Sequence, residues 1–512
     1  MKEKDLMDGI GTVEEDLLER SEGVKNSLAG TEKTGKKKGF TRWIAPMAAA
    51  AAVVAVITGG IFLMKSGILK KSGINLDPYA DPKLKDYTIA SAVYPKLSAW
   101  PDPADYDLEG DDWEKYAAAV NAWMDEAGAH RNKLIDYGMD KAIGPVAKFT
   151  ASGMMNILAG QSGKNRAFSP INIYLTLAML ADVTDGSTRQ QILSLTGADS
   201  AADLRTRADL LWNVLYKDDA TGKCVLGSSL WLRDDSDSYD KKALENLALY
   251  YHASSFRGKM GSSAYNKAVQ SWINGRTGGL LEKEVSDISF DDNTVLGLIT
   301  TILYQAKWDT EFAKGLTDTG IFHAASGDRE VSYMHQSAHG GLYYRGEKFI
   351  AVPKYFKNES SSFMWFILPN EGVTTDELLA DTEVHRLMEK GMEGKGHSAI
   401  VHLTVPKYDI ACSFKLKESL QKMGVTDVFD DKKADFSPLF KTARGFFVSD
   451  ARHAIRVMVD EEGVKAAAFT ELQVAGMGLS TEEIDFTLDR PFLFSIQTYD
   501  NIPLFVGVVE EP

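Results

Sequence analysis

The sequence lacks the motifs by which many enzymes are identified: a glycine-rich nucleotide-binding loop, a His-Glu-x-x-His metal motif and a Gly-x-Ser-x-Gly nucleophile elbow. His335 and His339 have the spacing of two metal ligands on a helix, but the glycines that follow favour a strand entering a turn. Ser449, Asp450 and His453 are residue types of a hydrolase triad, although so short a spacing seldom assembles one. We therefore expect no enzyme activity, metal or cofactor, with an outward-facing hydrolase as the minor alternative.

Cysteine and positive charge are also scarce. Only Cys224 and Cys412 occur, so a disulfide framework is excluded as a folding device and two buried thiols are expected. The formal net charge is −15, and residues 1–71 carry more Lys and Arg than Asp and Glu, so the rest of the chain is strongly acidic. An acidic body argues against a nucleic-acid partner, since phosphate binding needs basic patches.

One long uncharged run, residues 43–64, has the length of a membrane-spanning helix. Basic residues are denser before it than after it, which predicts a cytoplasmic tail over residues 1–42 and an extracellular body. A cleaved signal peptide is the competing interpretation, but 42 residues are long for its leading region. We expect an uncleaved single-pass anchor in a cell membrane, with a tail resembling those of Gram-positive bacterial membrane proteins.

Residues 65–144 are predicted to form a stalk and a short helical extension. Isolated prolines and acids fill residues 72–110, which suggests extended chain. Asp111 or Asp112 could then cap a helix whose apolar stripe packs on the body: Trp113, Tyr116, Ala117, Val120, Trp123, Met124 and Ala127. The sequence leaves open what else this region does.

Residues 145–512 carry mainly helical patterns first and mainly strand patterns later. Helices are predicted over 146–158, from Ser169-Pro170 onward and over 265–273, with buried strand over 295–308. Thr374 to Glu377 forms a capping box. Strands are predicted over 342–369, 446–460 and 492–509. This order predicts the α+β class rather than a doubly wound sheet.

The stretch from Glu461 to Met477 fits two structures. Alternate residues from Val464 to Val474 are small or apolar, which indicates a strand with one buried face. Three consecutive alanines, 466–468, instead favour an exposed helix that runs into a loop. Periodicity alone does not choose between them.

Several separated motifs resemble those of the serpin family. They occur in order along the chain, at residues 165–170, 177–180, 186–192, 298–308, 424–429, 434–437, 449–453, 460–463, 491–494 and 503–507. The resemblance covers about residues 145–512. It implies the serpin fold, in which helices pack on three β-sheets and a reactive loop is exposed.

The resemblance gives the ambiguous stretch a function. It implies a suicide substrate: a serine protease attacks the loop, and the cleaved loop inserts into the main sheet before the acyl-enzyme hydrolyses. The family's spacing places the attacked bond between Met477 and Gly478, with Leu479 as the alternative. The residues of the implied hinge are Glu461, Glu462, Gly463, Val464, Ala466, Ala467 and Ala468. Fourteen or fifteen residues of strand would span roughly 45–50 Å.

The bait residues 474–477 suit a protease with a small or medium apolar pocket, either elastase-like or subtilisin-like. A monomer is expected. Val464 and Phe469 depart from the usual pattern, so a non-inhibitory serpin that binds a partner is the alternative function. Whether these two residues slow insertion, and which protease is the target, stay open.

The resemblance also implies a region where the main sheet opens. Its expected residues are Ser169, Asn172, His453, Trp308 and His335. Asn172, Gln270 and Thr300 depart from the family's usual residues, which indicates altered hydrogen bonding. His335 aligns with a lysine that often pairs with the hinge glutamate, so we hypothesise a pH-sensitive contact between His335 and Glu461.

Overall fold

The computed structural model describes residues 82–94, 101, 105–108, 112–161, 163–218, 222–234, 239–286, 288–292, 294–357, 362–440, 446–448, 451–464 and 482–512. All of them belong to the unit formed by residues 59–512. Within these ranges no helix is both long and apolar enough to cross a membrane. The predicted anchor 43–64, Ala466 to Ala468, Phe469 and the bond between Met477 and Gly478 lie outside the described residues.

The described residues form ten α-helices, which are concentrated in the first half of the body. They are α1 Trp113–Tyr137, α2 Met139–Gly153, α3 Pro170–Asp182, α4 Gly186–Thr196, α5 Ala201–Leu215, α6 Lys241–Tyr250, α7 Ser263–Arg276, α8 Thr375–Leu379, α9 Thr382–Lys390 and α10 Lys417–Lys422. A π-helical turn, Met154–Leu158, continues α2.

Seventeen strands occur in the same ranges. They are β1 Thr88–Ala90, β2 Arg166–Phe168, β3 Lys217–Asp218, β4 Lys223–Arg233, β5 Ala253–Gly258, β6 Leu296–Lys307, β7 Asp318–Ala324, β8 Gly327–Arg345, β9 Phe349–Tyr355, β10 Ser362–Pro369, β11 His397–Pro406, β12 Tyr408–Lys415, β13 Arg452–Val459, β14 Gly463–Val464, β15 Glu483–Thr487, β16 Phe492–Thr498 and β17 Pro503–Val509.

The strands pair into three sheets. A six-stranded sheet has the order β1-β5-β4-β6-β14, with β3 on β4. A nine-stranded sheet has the order β15-β11-β8-β9-β10-β16-β17-β2, with β7 on β8, and β12 pairs with β13 as a separate ribbon. The predicted α+β class, with helices packed on several sheets, is confirmed.

Helix α3 is the buried centre of the body. Ser169 caps it by accepting a hydrogen bond from the backbone of Asn172, and Pro170 occupies the first helical turn, where its missing N–H costs nothing. Nearly every residue of α3 is buried, as expected of a helix that is apolar on all sides. It packs against both β6 and β17, so it lies between the two large sheets.

The extension before residue 145 packs on the body. Strand β1 adds to the edge of the six-stranded sheet by pairing with β5, and Leu84 joins the apolar cluster between α7 and that sheet. Helix α1 contacts α5, and Tyr116 on its predicted stripe is buried. Asp112 precedes α1 but makes no capping bond, because its carboxylate pairs with Lys115 instead.

Local patterns predicted several elements well. The capping box of Thr374 and Glu377 is present, and the predicted buried strand is β6. Local patterns did not predict helices α5 and α6, although the family resemblance implied a helix near residues 204–217. Each begins at a side-chain cap, Ser200 and Asp240 respectively, that a search for capping residues could have found.

Candidate functional site at the gap in the main sheet

The six-stranded sheet and the β12–β13 ribbon are separated by a gap. Strand β6 pairs with β4 along its length, and among the described residues its other side pairs with the two residues of β14 alone. Strand β13 pairs with β12. In the part of the chain that the structure describes, no residue of β6 pairs with β13. Among the described residues, most of one edge of each of these two strands is therefore not part of a strand ladder.

At one end of this gap, residues 460–463 form a tight turn between β13 and β14. The Asp460 amide donates to the Gly463 carbonyl at 3.1 Å. The Asp460 carboxylate accepts from the amides of Glu462 at 2.9 Å and Gly463 at 3.2 Å. Burial is the main reason that the pKa of Asp460 is raised, while these two amides oppose the rise. Glu461, Glu462 and Gly463, the first residues of the predicted hinge, thus lie in a hydrogen-bonded turn.

Gly463 is required for close approach as well as for flexibility. Its φ is 153°, and a Cβ there would lie 2.3 Å from the Ala306 carbonyl oxygen on β6. Any other residue would push β14 away from β6. Val464 follows with 5% of its surface exposed and belongs to the main apolar core. Its uncharged side chain suits a strand position in the sheet.

The segment 308–312, directly after β6, holds this turn by two main-chain hydrogen bonds and one from a side chain. The Trp308 amide donates to Glu462 O at 3.1 Å, and the Phe312 amide donates to Glu461 O at 2.9 Å. The Trp308 indole N–H donates to Asp460 O at 3.0 Å. Trp308 is fully buried and stacks on Phe356. Trp308 therefore lies beside the hinge, as the sequence resemblance implies.

Charged side chains also hold the turn 460–463 in place. Glu461 accepts from Lys407 Nζ at 2.8 Å and from Thr317 Oγ1 at 2.9 Å. Burial alone would raise the pKa of Glu461, but these hydrogen bonds outweigh it and the pKa is lowered. Glu462 pairs with Lys314.

The hypothesised contact between His335 and Glu461 is wrong. His335 Nε2 instead lies 2.8 Å from Asp318 Oδ1, and its Nδ1 lies 3.1 Å from Thr404 Oγ1. The register of β8 on β11 sets His335 opposite Thr404. Lys407, just beyond the end of β11, reaches Glu461 instead. No local signal singled out Lys407, since only the packing of β11 against β8 brings it to the hinge.

In the middle of the gap, the start of α3 is joined to β13. The Ser169 amide donates to Nε2 of the buried His453 at 3.0 Å. Because this nitrogen accepts, the bond requires an unprotonated Nε2. Burial lowers the pKa of His453 to about 4, so the bond is stable at neutral pH. Ser169 and His453 are thus brought together as the sequence implied.

The same helix is joined to β6 on the other side. Thr176 Oγ1 donates to the Asn172 carbonyl at 2.8 Å, so the 2.6 Å contact between the hydroxyls of Thr176 and Thr300 takes its proton from Thr300. Thr300, one of the departures noted above, therefore still bonds to α3. The helix is thus joined to β13 and to β6 through hydrogen bonds between neutral groups, one buried and one partly buried.

A third connection spans the gap near α7. Arg456 on β13 donates to the Leu280 carbonyl at 3.1 Å, in the segment between α7 and β6. Its guanidinium also pairs with both Asp409 oxygens, at 2.8 and 2.6 Å. Gln270, another departure, donates to the carbonyls of Ser286 and Ile288 at 3.0 Å, which fixes that segment to α7.

Among the described residues, the six-stranded sheet and the β12–β13 ribbon are not paired with each other, and the turn 460–463 connects them at one end of β6. The family model described as Serpin (serine protease inhibitor) matches residues 146–512. The chain therefore belongs to the serpin family.

Individual relatives agree with this assignment. An alpha-1-antiproteinase of Callosciurus caniceps is 29% identical over 71% of this chain and 87% of its own length. Human antithrombin-III is 26% identical over 72% of this chain and 81% of its own. Among solved structures, the thermophilic serpin tengpin in its native state is similar with a TM-score of 0.64 and 26% identity, over 72% of this chain and 93% of that one.

Proposed function

We propose that this chain inhibits serine proteases as a suicide substrate. The protease attacks the bond between Met477 and Gly478 and forms an acyl-enzyme, and the freed loop enters the gap between β6 and β13 before water hydrolyses the ester. The protein supplies no catalytic group, and the reaction is the protease's own. Loop insertion of this kind releases strain by turning a mobile segment into a strand.

The position of β14 is the observation that carries the proposal. Gly463 pairs with Lys307 and Val464 pairs with Ala306, so each step forward from Gly463 pairs with one step back along β6. If the antiparallel register continued, residues 465–474 would pair with the rest of β6, down to Leu296. The small and apolar alternation ends at Val474, which matches the length of β6. Val464, Ala466, Ala468, Thr470, Leu472 and Val474 would then share the buried face.

A covalent complex on a denaturing gel is the test. The full-length chain is incubated with pancreatic elastase or with subtilisin, and a band should appear above the 56.3 kDa chain by roughly the mass of the protease. The same protease with its nucleophilic serine blocked is the matched control and should give no such band. A cleaved chain with fully active protease would contradict inhibition and support the alternative, a non-inhibitory serpin that binds a partner.

The released C-terminal fragment identifies the attacked bond. A fragment that begins at Gly478 supports attack after Met477, whereas one that begins at Ser480 would assign the bond to Leu479. Met477→Arg should transfer inhibition from elastase to trypsin, because the side chain before the attacked bond fills the protease's specificity pocket. A variant that still preferred elastase would place the attacked bond elsewhere.

We also propose that residues 43–64 anchor the chain in a cell membrane, with the inhibitor domain outside. Support comes from their uncharged length and from the basic residues before them. Alkaline carbonate washing should leave the chain in the membrane fraction, and protease added to intact cells should remove the domain. Release by carbonate would contradict the anchor, and a mature N-terminus beyond residue 64 would indicate a cleaved signal peptide.

A further inference from the structure

A lysine is buried behind the segment that grips the hinge. Lys354 lies on β9 and is 6% exposed. Its ammonium donates to the Thr310 carbonyl at 2.9 Å and to the side-chain oxygen of Gln336 on β8. It also lies over two aromatic rings, 4.3 Å from the centroid of Phe312 and 5.2 Å from that of Trp308.

This environment is unusual for an ammonium group. Buried lysines normally pair with a carboxylate. Within the described residues Lys354 has no carboxylate at ion-pair distance, and its contacts are a carbonyl, an amide oxygen and two ring faces. Such neutral partners compensate a buried cation through hydrogen bonds and cation–π attraction. Segment 308–312 therefore stabilises the charged form of Lys354, and the ammonium in turn holds the segment in place.

The contacts of Lys354 and those of the hinge lie on the same five residues. Trp308 and Phe312 present their rings to Lys354 and their amides to the hinge carbonyls of Glu462 and Glu461. Thr310, between them, gives its carbonyl to the ammonium. Lys354 thus holds, from the core side, the segment that holds the hinge turn.

We propose that Lys354 is a positioning residue for loop insertion: its buried ammonium fixes segment 308–312 so that the turn 460–463 stays at the mouth of the gap, ready to extend β14. The effect on loop insertion rests on the proposed inhibitory function, whereas the contacts of Lys354 with segment 308–312 do not. Removal of the ammonium should loosen the turn and slow insertion, so that more of the acyl-enzyme hydrolyses before it is trapped.

The protonation state of Lys354 is adjustable near neutrality. Burial lowers its pKa to about 7, opposed by the more distant carboxylates of Asp309 and Glu311. Other charged groups around the segment are Lys307 at the end of β6, Lys357 after β9, Asp460, Glu461 and Glu462 of the turn, Lys314, and Lys407 beyond β11. Lys307 needs its own control, because burial lowers its pKa to about 8.

Hydrogen exchange tests the positioning role without a protease. In the full-length chain at pD 6, Lys354→Met should increase exchange of the Trp308 and Phe312 amides by about tenfold, the effect of losing one charge-assisted hydrogen bond. Amides of β4 should not change. In the wild-type chain, the same two amides should show extra protection, relative to intrinsic rates, at pD 6 compared with pD 8.5. Unchanged exchange in both comparisons would overturn the proposal. The second comparison uses only the wild-type chain, so it holds even where Lys354→Met folds poorly.

Inhibition then tests the consequence. At pH 6, Lys354→Met should need severalfold more inhibitor per elastase molecule than the wild type, and Lys354→Arg should restore part of the loss. At pH 8.5 the wild type should need nearly as much inhibitor per elastase molecule as Lys354→Met. Lys307→Met should show the same change in this ratio between pH 6 and pH 8.5 as the wild type. Equal stoichiometry for wild type and Lys354→Met would overturn the role in insertion. A wild type that forms no covalent complex, but shows the exchange difference, would refute the inhibitory function and leave the positioning role intact.

Discussion

The hinge end of the gap and its middle are held by different chemistry. At the hinge, charged side chains at the edge of the body, Glu461 with Lys407 and Glu462 with Lys314, add to the main-chain bonds. In the middle, neutral groups connect α3 to both sides: Ser169 to His453, which are buried, and Thr176 to Thr300, which are partly buried. The two lysines of the hinge ion pairs reach solvent, so salt screens these pairs, while the central hydrogen bonds are between neutral groups and depend less on salt. We infer that a change in salt or pH can loosen one end of the gap and leave the other end in place.

The largest effect is expected from a charge on the strand that enters. Val464→Arg places a guanidinium at a core position, and an uncompensated buried charge costs about 3–5 kcal/mol. Covalent complex with elastase should fall about a hundredfold and be replaced by cleaved chain. Val464→Thr is the matched uncharged control and should retain most of the complex. Normal trapping by Val464→Arg would mean that trapping does not require a buried, uncharged residue at position 464.

Acid should weaken the middle of the gap before the hinge. The pKa of His453 is about 4 in the folded chain, so between about pH 6.5 and 4 the unfolded chain binds the additional proton and stability falls with pH. The full loss is about 3 kcal/mol. His453→Gln keeps an acceptor that does not titrate, and its urea unfolding should change less between pH 7 and pH 5. Identical slopes for both chains would show that His453 does not carry this dependence.

Thr300→Val should weaken the connection between α3 and β6 and lower the stability of the chain by a moderate amount. The variant removes the hydroxyl that donates to Thr176, a loss of about 1 kcal/mol for one partly buried hydrogen bond. Thr300→Ser, which keeps the hydroxyl, should restore most of it. Thermal unfolding at neutral pH measures the difference. A Val variant as stable as the wild type would mean that α3 is held to β6 by packing alone.

The smallest effect is expected at the hinge ion pair. Lys407 is partly exposed, so the pair with Glu461 should contribute about 0.5–1 kcal/mol by double-mutant cycle with Glu461→Gln and Lys407→Met. The pKa of Glu461 is lowered in the folded chain, so this contribution is present above about pH 4.3 and lost as pH falls through the folded value. Lys314→Met is the control for general charge effects. A coupling that persisted at pH 2 would contradict an ionic contact.

Much of the fold and part of the site could be predicted from the sequence. Local patterns gave the buried strand that became β6, the capping box at Thr374 and the uncharged Val464. Resemblance added the neighbourhoods of Ser169, His453 and Trp308. What could not be predicted were contacts between residues far apart in the chain, because a partner across two sheets has no periodic signal. His335 was therefore assigned the place at Glu461 that Lys407 occupies.

The sequence by itself determined which residues could form the hinge: a glycine that can approach β6, then small or apolar residues at every second position. It also determined the serpin family. Only the tertiary structure decided what holds the hinge in place. The register of β8 on β11 directs Lys407 to Glu461, and the packing of β9 behind segment 308–312 buries Lys354 under two aromatic rings. Such contacts depend on the stacking of separate sheets, which pattern along one chain does not encode.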